Sequence, residues 1–277
     1  VNNLTEKPIG TFDSGLGGLT VVSEIIRHLP HEDIIYFADG ARFPYGPREL
    51  EEVNGFVFEI IDFLKTLDVK LIVIACNTAT AAGLPAAQDY YNLPIIGVID
   101  PGAKGAVGAT RNGRIGVIAT KATVESESYV KSIHAYDDSL AVFSQACPPF
   151  VDFVERGEIE GTKVAGVVRE FLEPLISAGV DSLILGCTHY PLLERVIGEV
   201  MGPQVSIISS ARETAREVEL LLSEIDSLRA EGLPRYRFLT SGDENRFQKF
   251  GSRFLGKEIG SVEKVVLRNP VGLELVL

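Results

Sequence analysis

The sequence predicts an α/β protein whose mostly parallel sheets are flanked by helices. Three observations carry this. Short, wholly apolar runs recur along the chain, as expected of parallel strands covered on both faces. The segments between them place apolar residues at helical spacing,. The two kinds of segment alternate, which is the order of βα units and a parallel sheet. The alternation also runs twice, and each pass delivers a cysteine just beyond a strand: "LIVIACNTATA" at 71–81 and "LILGCTHYPLL" at 183–193.

The strand candidates are, in order, 9–12 (IGTF), 34–37 (IIYF), 71–75 (LIVIA), 95–98 (IIGV), 115–119 (IGVIA), 183–186 (LILG) and 205–208 (VSII). Among the helices between them, Leu19, Val22, Ile26 and Leu29 share one face. So do Val53, Phe56, Val57, Ile60, Leu64 and Leu67, and later Val164, Val167, Val168, Phe171 and Leu175,. The stretch "DPGAKGAVGATRNG" at 100–113, rich in Gly and small residues, is the candidate crossing between the two passes. Beyond Ser209 lie a helix carrying Val218, Leu221, Leu222, Ile225 and Leu228, and two strand-like runs at 235–240 and 264–267. These are too little for a third domain, so they are expected to complete one of the two sheets.

The chain has 277 residues, 45% hydrophobic and 23% charged, which is ample for a core,. Its formal net charge of −12 argues against nonspecific nucleic-acid binding, which needs clustered Lys and Arg,. An anionic small substrate stays compatible, because the potential inside a cleft can oppose the net charge. No apolar run reaches the ~20 residues of a membrane span. No charged region followed by an apolar one opens the chain, so no signal peptide is expected. Three widely spaced cysteines do not form a disulfide framework and fit a reducing, cytoplasmic setting,. His28 and His31, beside Pro30, read as a surface turn.

In open parallel sheets, ligands bind beyond the carboxyl ends of the strands. Cys76 and Cys187 both stand there. Asn77 or Thr78 can cap a helix after the first, and Pro191 suits a first helical turn after the second,. Free N–H groups at a helix start stabilise a nearby anion and favour a thiolate. Cysteine is also a small hydrophobe at home in a core, but two in parallel contexts favour chemistry. Cys147, in "QACPPF", lacks that context and reads as core.

"TFDSGLGGLTVV" at 11–22 resembles a phosphate loop only superficially: its glycine spacing differs from the dinucleotide pattern, and Asp13 would repel a phosphate,. Asp13 is instead a candidate catalytic or amino-group-binding carboxylate. The loop "YFADGARFPYGPRE" offers Asp39, Tyr45 and Gly46, the last two as backbone N–H donors to a carboxylate. His189, two residues after Cys187, can polarise that thiol or relay a proton. A Cys–His pair for acyl transfer is the rival reading. A metal site lacks further ligands at suitable spacing.

Taken together, DSGLGGLTV at 13–21, PYG at 44–46, ACNTATA at 75–81, GVIDPGAK at 97–104 and GCTHYPLL at 186–193 closely resemble the cofactor-independent aspartate/glutamate racemases, the glutamate racemases in particular. The resemblance covers nearly the whole chain. It implies two pseudo-symmetric α/β domains, 1–98 with 210–277 and 99–209, with the active site in the cleft between them. It implies interconversion of L- and D-glutamate without cofactor or metal, supplying D-glutamate for peptidoglycan, and a cytoplasmic homodimer. Cys76 would remove the α-proton of the D-enantiomer and Cys187 that of the L-enantiomer, supported by Asp13, Glu155 and His189. Substrate contacts would fall to Asp13, Ser14, Tyr45, Gly46, Asn77, Thr78, Thr188 and His189. The chain departs from the family at Gly40, where members often carry a hydroxyl.

The chemistry agrees with that pattern. Racemisation removes a proton from one face of Cα and returns one to the other, which asks for two acid–base groups on opposite sides. The carbanion needs donors aimed at the carboxylate in a water-poor cleft. Aspartate or a hydantoin as substrate is the nearest alternative. An α/β module that binds an anion without turnover is the alternative of another class.

Overall fold

The computed structural model describes residues 4–267. After a 3-10 turn at Leu4–Glu6, the first pass runs β1 (Ile9–Asp13), α1 (Leu19–His28), β2 (Ile34–Ala38), α2 (Leu50–Lys65), β3 (Leu71–Ile74), α3 (Asn77–Tyr90) and β4 (Ile95–Gly97). The chain then crosses through α4 (Ile99–Ala109). The second pass runs β5 (Arg114–Ala119), α5 (Lys121–Glu125), α6 (Ser128–Tyr136), β6 (Ala141–Ala146), α7 (Pro148–Arg156), α8 (Thr162–Ser177) and β7 (Ser182–Gly186). A 3-10 turn at Tyr190–Leu193 leads into α9 (Glu194–Met201) and β8 (Ser206–Ser209). Then come α10 (Ser210–Glu224), β9 (Tyr236–Thr240), α11 (Glu244–Leu255) and β10 (Val262–Lys264).

Two parallel sheets result. The first has the order β10-β9-β2-β1-β3-β4 and the second β6-β5-β7-β8. Every described pairing is parallel, with Ile9 opposite Ile34 and Leu71 in one sheet and Ile115 opposite Val142 and Ser182 in the other. The α/β class expected from the alternation is therefore present. The two leftover runs complete the first sheet, β9 against β2 and β10 against β9. The last strand begins two residues earlier than the apolar pattern indicated.

β6 escaped the apolar criterion. It is an edge strand, its residues all half-buried, and Ser144 and Gln145 interrupt the run. The core reading of Cys147 stands, but the thiol does share the strand-end context: it follows β6 and stands at the N-cap position of α7. That thiol is fully buried and points to the Gln145 carbonyl 3.7 Å away.

One apolar cluster reaches from Val21, Val22 and Ile25 of α1 through Val218 and Leu222 of α10 to Leu183 and Leu185 of β7. It joins the helices between the sheets to both of them. Smaller clusters cover the outer face of the first sheet and the α4–α6 side of the second. His28 closes α1 and only His31 lies in the turn beyond it; both are half-buried, His28 3.8 Å from Glu219 and His31 contacting the Gly232 carbonyl. Among the described residues, no helix is long and apolar enough to cross a membrane.

Candidate active site

The carboxyl ends of β1, β3, β5 and β7 converge on one cleft. A cavity of about 290 Å³ there is lined by Ser14, Tyr45, Gly46, Cys76, Asn77 and Thr78 from the first-sheet side, and by Thr120, Cys187, Thr188 and His189 from the second. The two strand-end thiols thus face a single space from different sheets.

Cys76 caps α3 itself, its sulfur accepting from the Ala79 N–H at 3.5 Å. Neither Asn77 nor Thr78 is the cap, because both already lie inside the helix, which starts at Asn77. The helix start was expected to favour a thiolate. It does not at Cys76: burial pushes the thiol well up, and the Asp13 charge adds to this, outweighing the Ala79 and Ser14 hydrogen bonds,. The thiol is held in its protonated, donating form, with Ser14 Oγ 3.9 Å away.

Cys187 lies in a different setting. After β7 the chain enters the 3-10 turn, with His189 at its N-cap position and Pro191 inside it. His189 Nδ1 is 4.0 Å from the Cys187 sulfur, and Nε2 is 2.8 Å from Glu155 Oε1. Burial alone would lower the imidazole pKa. The hydrogen bonds and charges of Cys187 and Glu155 prevail and push it up to about 10,. The ring packs edge-on to Phe254 and beside Phe43.

Asp13 is fully buried behind the cavity wall and does not line it. Its carboxylate accepts from Gly15 N at 2.9 Å and from Thr188 Oγ1 at 3.3 Å. Burial raises its pKa, partly opposed by His189. Glu155 also stands outside the cavity. It binds His189 with one oxygen and Arg246 of α11 with the other, at 2.6 Å, and touches the cavity only through His189. Tyr45 is buried with its hydroxyl bonded to Asp39, so its side chain is committed away from the cleft. What Tyr45 and Gly46 offer the cavity is backbone.

The halves interlock at the site. Thr20 Oγ1 donates to the Thr188 carbonyl at 3.0 Å. Gly17 lies so close to the second half that a Cβ there would strike Thr188 Oγ1 and sit 2.6 Å from His189 Nδ1. Gly40 packs against the Gly242 backbone, where an added Cβ would be 3.1 Å from Gly242 Cα. The missing hydroxyl at Gly40 therefore coincides with a close passage of two loops.

Residues 16–218 match the family described as Asp/Glu/Hydantoin racemase. The chain belongs to this racemase family. It is 51% identical over 251 residues to a glutamate racemase of Exiguobacterium sibiricum, covering 90% of this chain and 92% of that one. It is 47% identical to a glutamate racemase of Streptococcus pneumoniae over 95% of this chain and all of the other. The crystal structure of glutamate racemase isoform RacE1 from Bacillus anthracis superimposes with a TM-score of 0.92 at 48% identity, covering 95% and 98% of the two chains. That of the Francisella tularensis glutamate racemase in complex with D-glutamate gives 0.89 at 36%, with the same coverage.

As a racemase, the protein is an isomerase, and its site holds more than the motifs announced. Thr120, just past β5, bonds Thr78 at 3.0 Å and Thr123 at 2.9 Å, bridging the two halves with hydroxyls. Its strand-end position was the available signal. Tyr129, whose hydroxyl donates to Asn77 Oδ1, and Arg246 left none, because they lie far from the motifs in sequence and only the fold brings them near.

Proposed function

We propose that this racemase interconverts L- and D-glutamate by a two-cysteine acid–base mechanism. The carrying observation is that the Cys76 and Cys187 thiols, borne by strands of different sheets, line one cavity. A carbon held between them has one thiol on each face. Taking L-glutamate as substrate, Cys187 removes the α-proton while protonated Cys76 delivers one to the opposite face; the D-enantiomer runs the roles in reverse. His189, charged at neutral pH, is placed to pair with the Cys187 sulfur. Glu155 acts through His189, and Asp13 acts from behind Cys76.

As Cα loses its proton, charge flows into the α-carboxylate. Donors at the cleft floor, including Asn77, Thr78 and Thr188, stabilise that charge where water is scarce. Glutamate as the substrate rests on the relatives' activity and on the shared motifs. We infer further that residues 1–98 with 210–277 and residues 99–209 act as two domains closing over the substrate. A cytoplasmic homodimer supplying D-glutamate for peptidoglycan follows from the family resemblance, and sedimentation checks the assembly.

Incubation with L-glutamate in D₂O tests the activity. Optical rotation should decay to zero while deuterium enters Cα, whereas aspartate and hydantoins stay unchanged; constant rotation without label defeats the reading. Cys76→Ala and Cys187→Ala should each lower full interconversion by about a hundred- to ten-thousandfold, the range that general acid–base groups contribute. Near-normal turnover in either variant refutes the two-base assignment.

A further inference from the structure

One buried group at the cleft has no partner. Asn77 is 2% exposed, and its Nδ2 makes no hydrogen bond. On the other side of the amide, Oδ1 accepts from the Tyr129 hydroxyl at 2.7 Å. The amide oxygen therefore faces Tyr129 and the NH₂ faces away. Asn77 also lines the cavity shared by the two thiols.

Tyr129 comes from the other half of the molecule. Its α6 ring is buried against Ile115, Val117 and Ile184 of the second sheet, while Asn77 opens α3 of the first. The ring has room because two neighbours lack side chains. A Cβ on Gly186 would lie 2.9 Å from Tyr129 Cε2, and one on Gly102 would lie 3.4 Å from its hydroxyl. Burial pushes the phenol well up, so it stays a neutral donor throughout the working pH range,.

We propose that Tyr129 is a positioning residue: its hydroxyl, borne by the other half of the molecule, holds the Asn77 amide oxygen and so leaves Nδ2 as the free donor for a carboxylate oxygen of the substrate. The inference rests on the racemase reading above, with Asn77 as a substrate contact. An unheld amide would turn its oxygen to the carboxylate for part of the time and repel it. Because the carboxylate gains charge as Cα loses its proton, the fixed donor acts more strongly in the transition state than in the ground state. Loss of the hydroxyl therefore falls on kcat more than on KM.

The test compares the full-length wild type, Tyr129→Phe, Asn77→Ala and the double variant, with glutamate in both directions. Tyr129→Phe should lower kcat about tenfold, the scale of one buried hydrogen bond, with KM moving less. In the Asn77→Ala background it should have no further effect. Equal losses in both backgrounds, or unchanged kcat, overturn the proposal. Wild-type protein inert toward glutamate overturns the functional reading instead, and the substrate part of this inference with it. Should Tyr129→Phe fail to fold, NMR of the Asn77 side-chain amide in the wild type decides. A shift of its NH₂ pair on adding D-glutamate supports the proposal, and an unmoved pair refutes it.

Discussion

At the scale of single residues, the two thiols are unequal. Cys76 is buried beside a carboxylate, and Cys187 is beside an imidazole that Glu155 holds. His189 and Glu155 tie this asymmetry to pH. The raised His189 pKa gives stability that is complete below the ordinary 6.5 and lost as pH climbs through about 10,. Burial works to raise Glu155, but His189 and Arg246 pull it below 4.5, so its share is present above that value and lost in acid,. The pair thus favours the fold most between 4.5 and 6.5. Glu155→Gln should lower the His189 pKa, measurable by NMR titration of the ring. It should also shrink the alkaline decline of the melting temperature and end it at lower pH. Strand ends made Cys76, Cys187 and their hydroxyl neighbours legible in the sequence. The commitment of Tyr45 to Asp39 and the withdrawal of Asp13 and Glu155 behind the wall were not legible, because side-chain direction depends on partners distant in the chain.

At the scale of elements, the mostly apolar strands announced themselves, since burial on both faces favours apolar residues. β6 did not, because an edge strand tolerates Ser144 and Gln145. The loop between β1 and α1 shows what a sequence pattern hides. Its glycines resemble a phosphate cradle, yet Gly17 is small because the Thr188–His189 segment of the other half presses against it. Gly17→Ala should therefore displace His189, lowering kcat/KM by at least about tenfold and stability by ~1–3 kcal/mol, the usual range for overpacking. Urea unfolding and steady-state kinetics on one preparation check both. A variant with normal activity would show that the segment yields without cost. α11 belongs to the same account: its Arg246 holds Glu155, so a helix from the end of the chain reaches the imidazole through one carboxylate.

At the scale of the whole molecule, the return of the chain to its first sheet is secured by a buried ion pair. Lys70 Nζ lies 2.6 Å from Glu32 Oε2, with neither side chain exposed, and donates to the Ser227 carbonyl at 2.7 Å. Glu32 also accepts from the Arg229 N–H at 2.8 Å. Lys70→Met would leave the carboxylate buried without its cation, and should cost ~3–5 kcal/mol in urea unfolding. A loss below about 1 kcal/mol would mean that water enters and solvates Glu32. The sequence indicated that β9 and β10 belonged to an existing sheet, but nothing in it named Lys70 as their anchor.

That return means the chain passes between the sheets twice, once through α4 and once through α10. The two crossings lie side by side: a Cβ on Gly102 would sit 3.2 Å from Ser210 Cβ, and one on Gly105 would sit 2.8 Å from Glu213 Cγ. In mechanical terms this is a hinge with two pins rather than one. A single tether lets two bodies swivel about it, whereas paired tethers resist torsion and leave opening and shutting as the soft motion. The proposed two-thiol mechanism would gain from this, because paired tethers keep the Cys76 and Cys187 sides of the cavity in line.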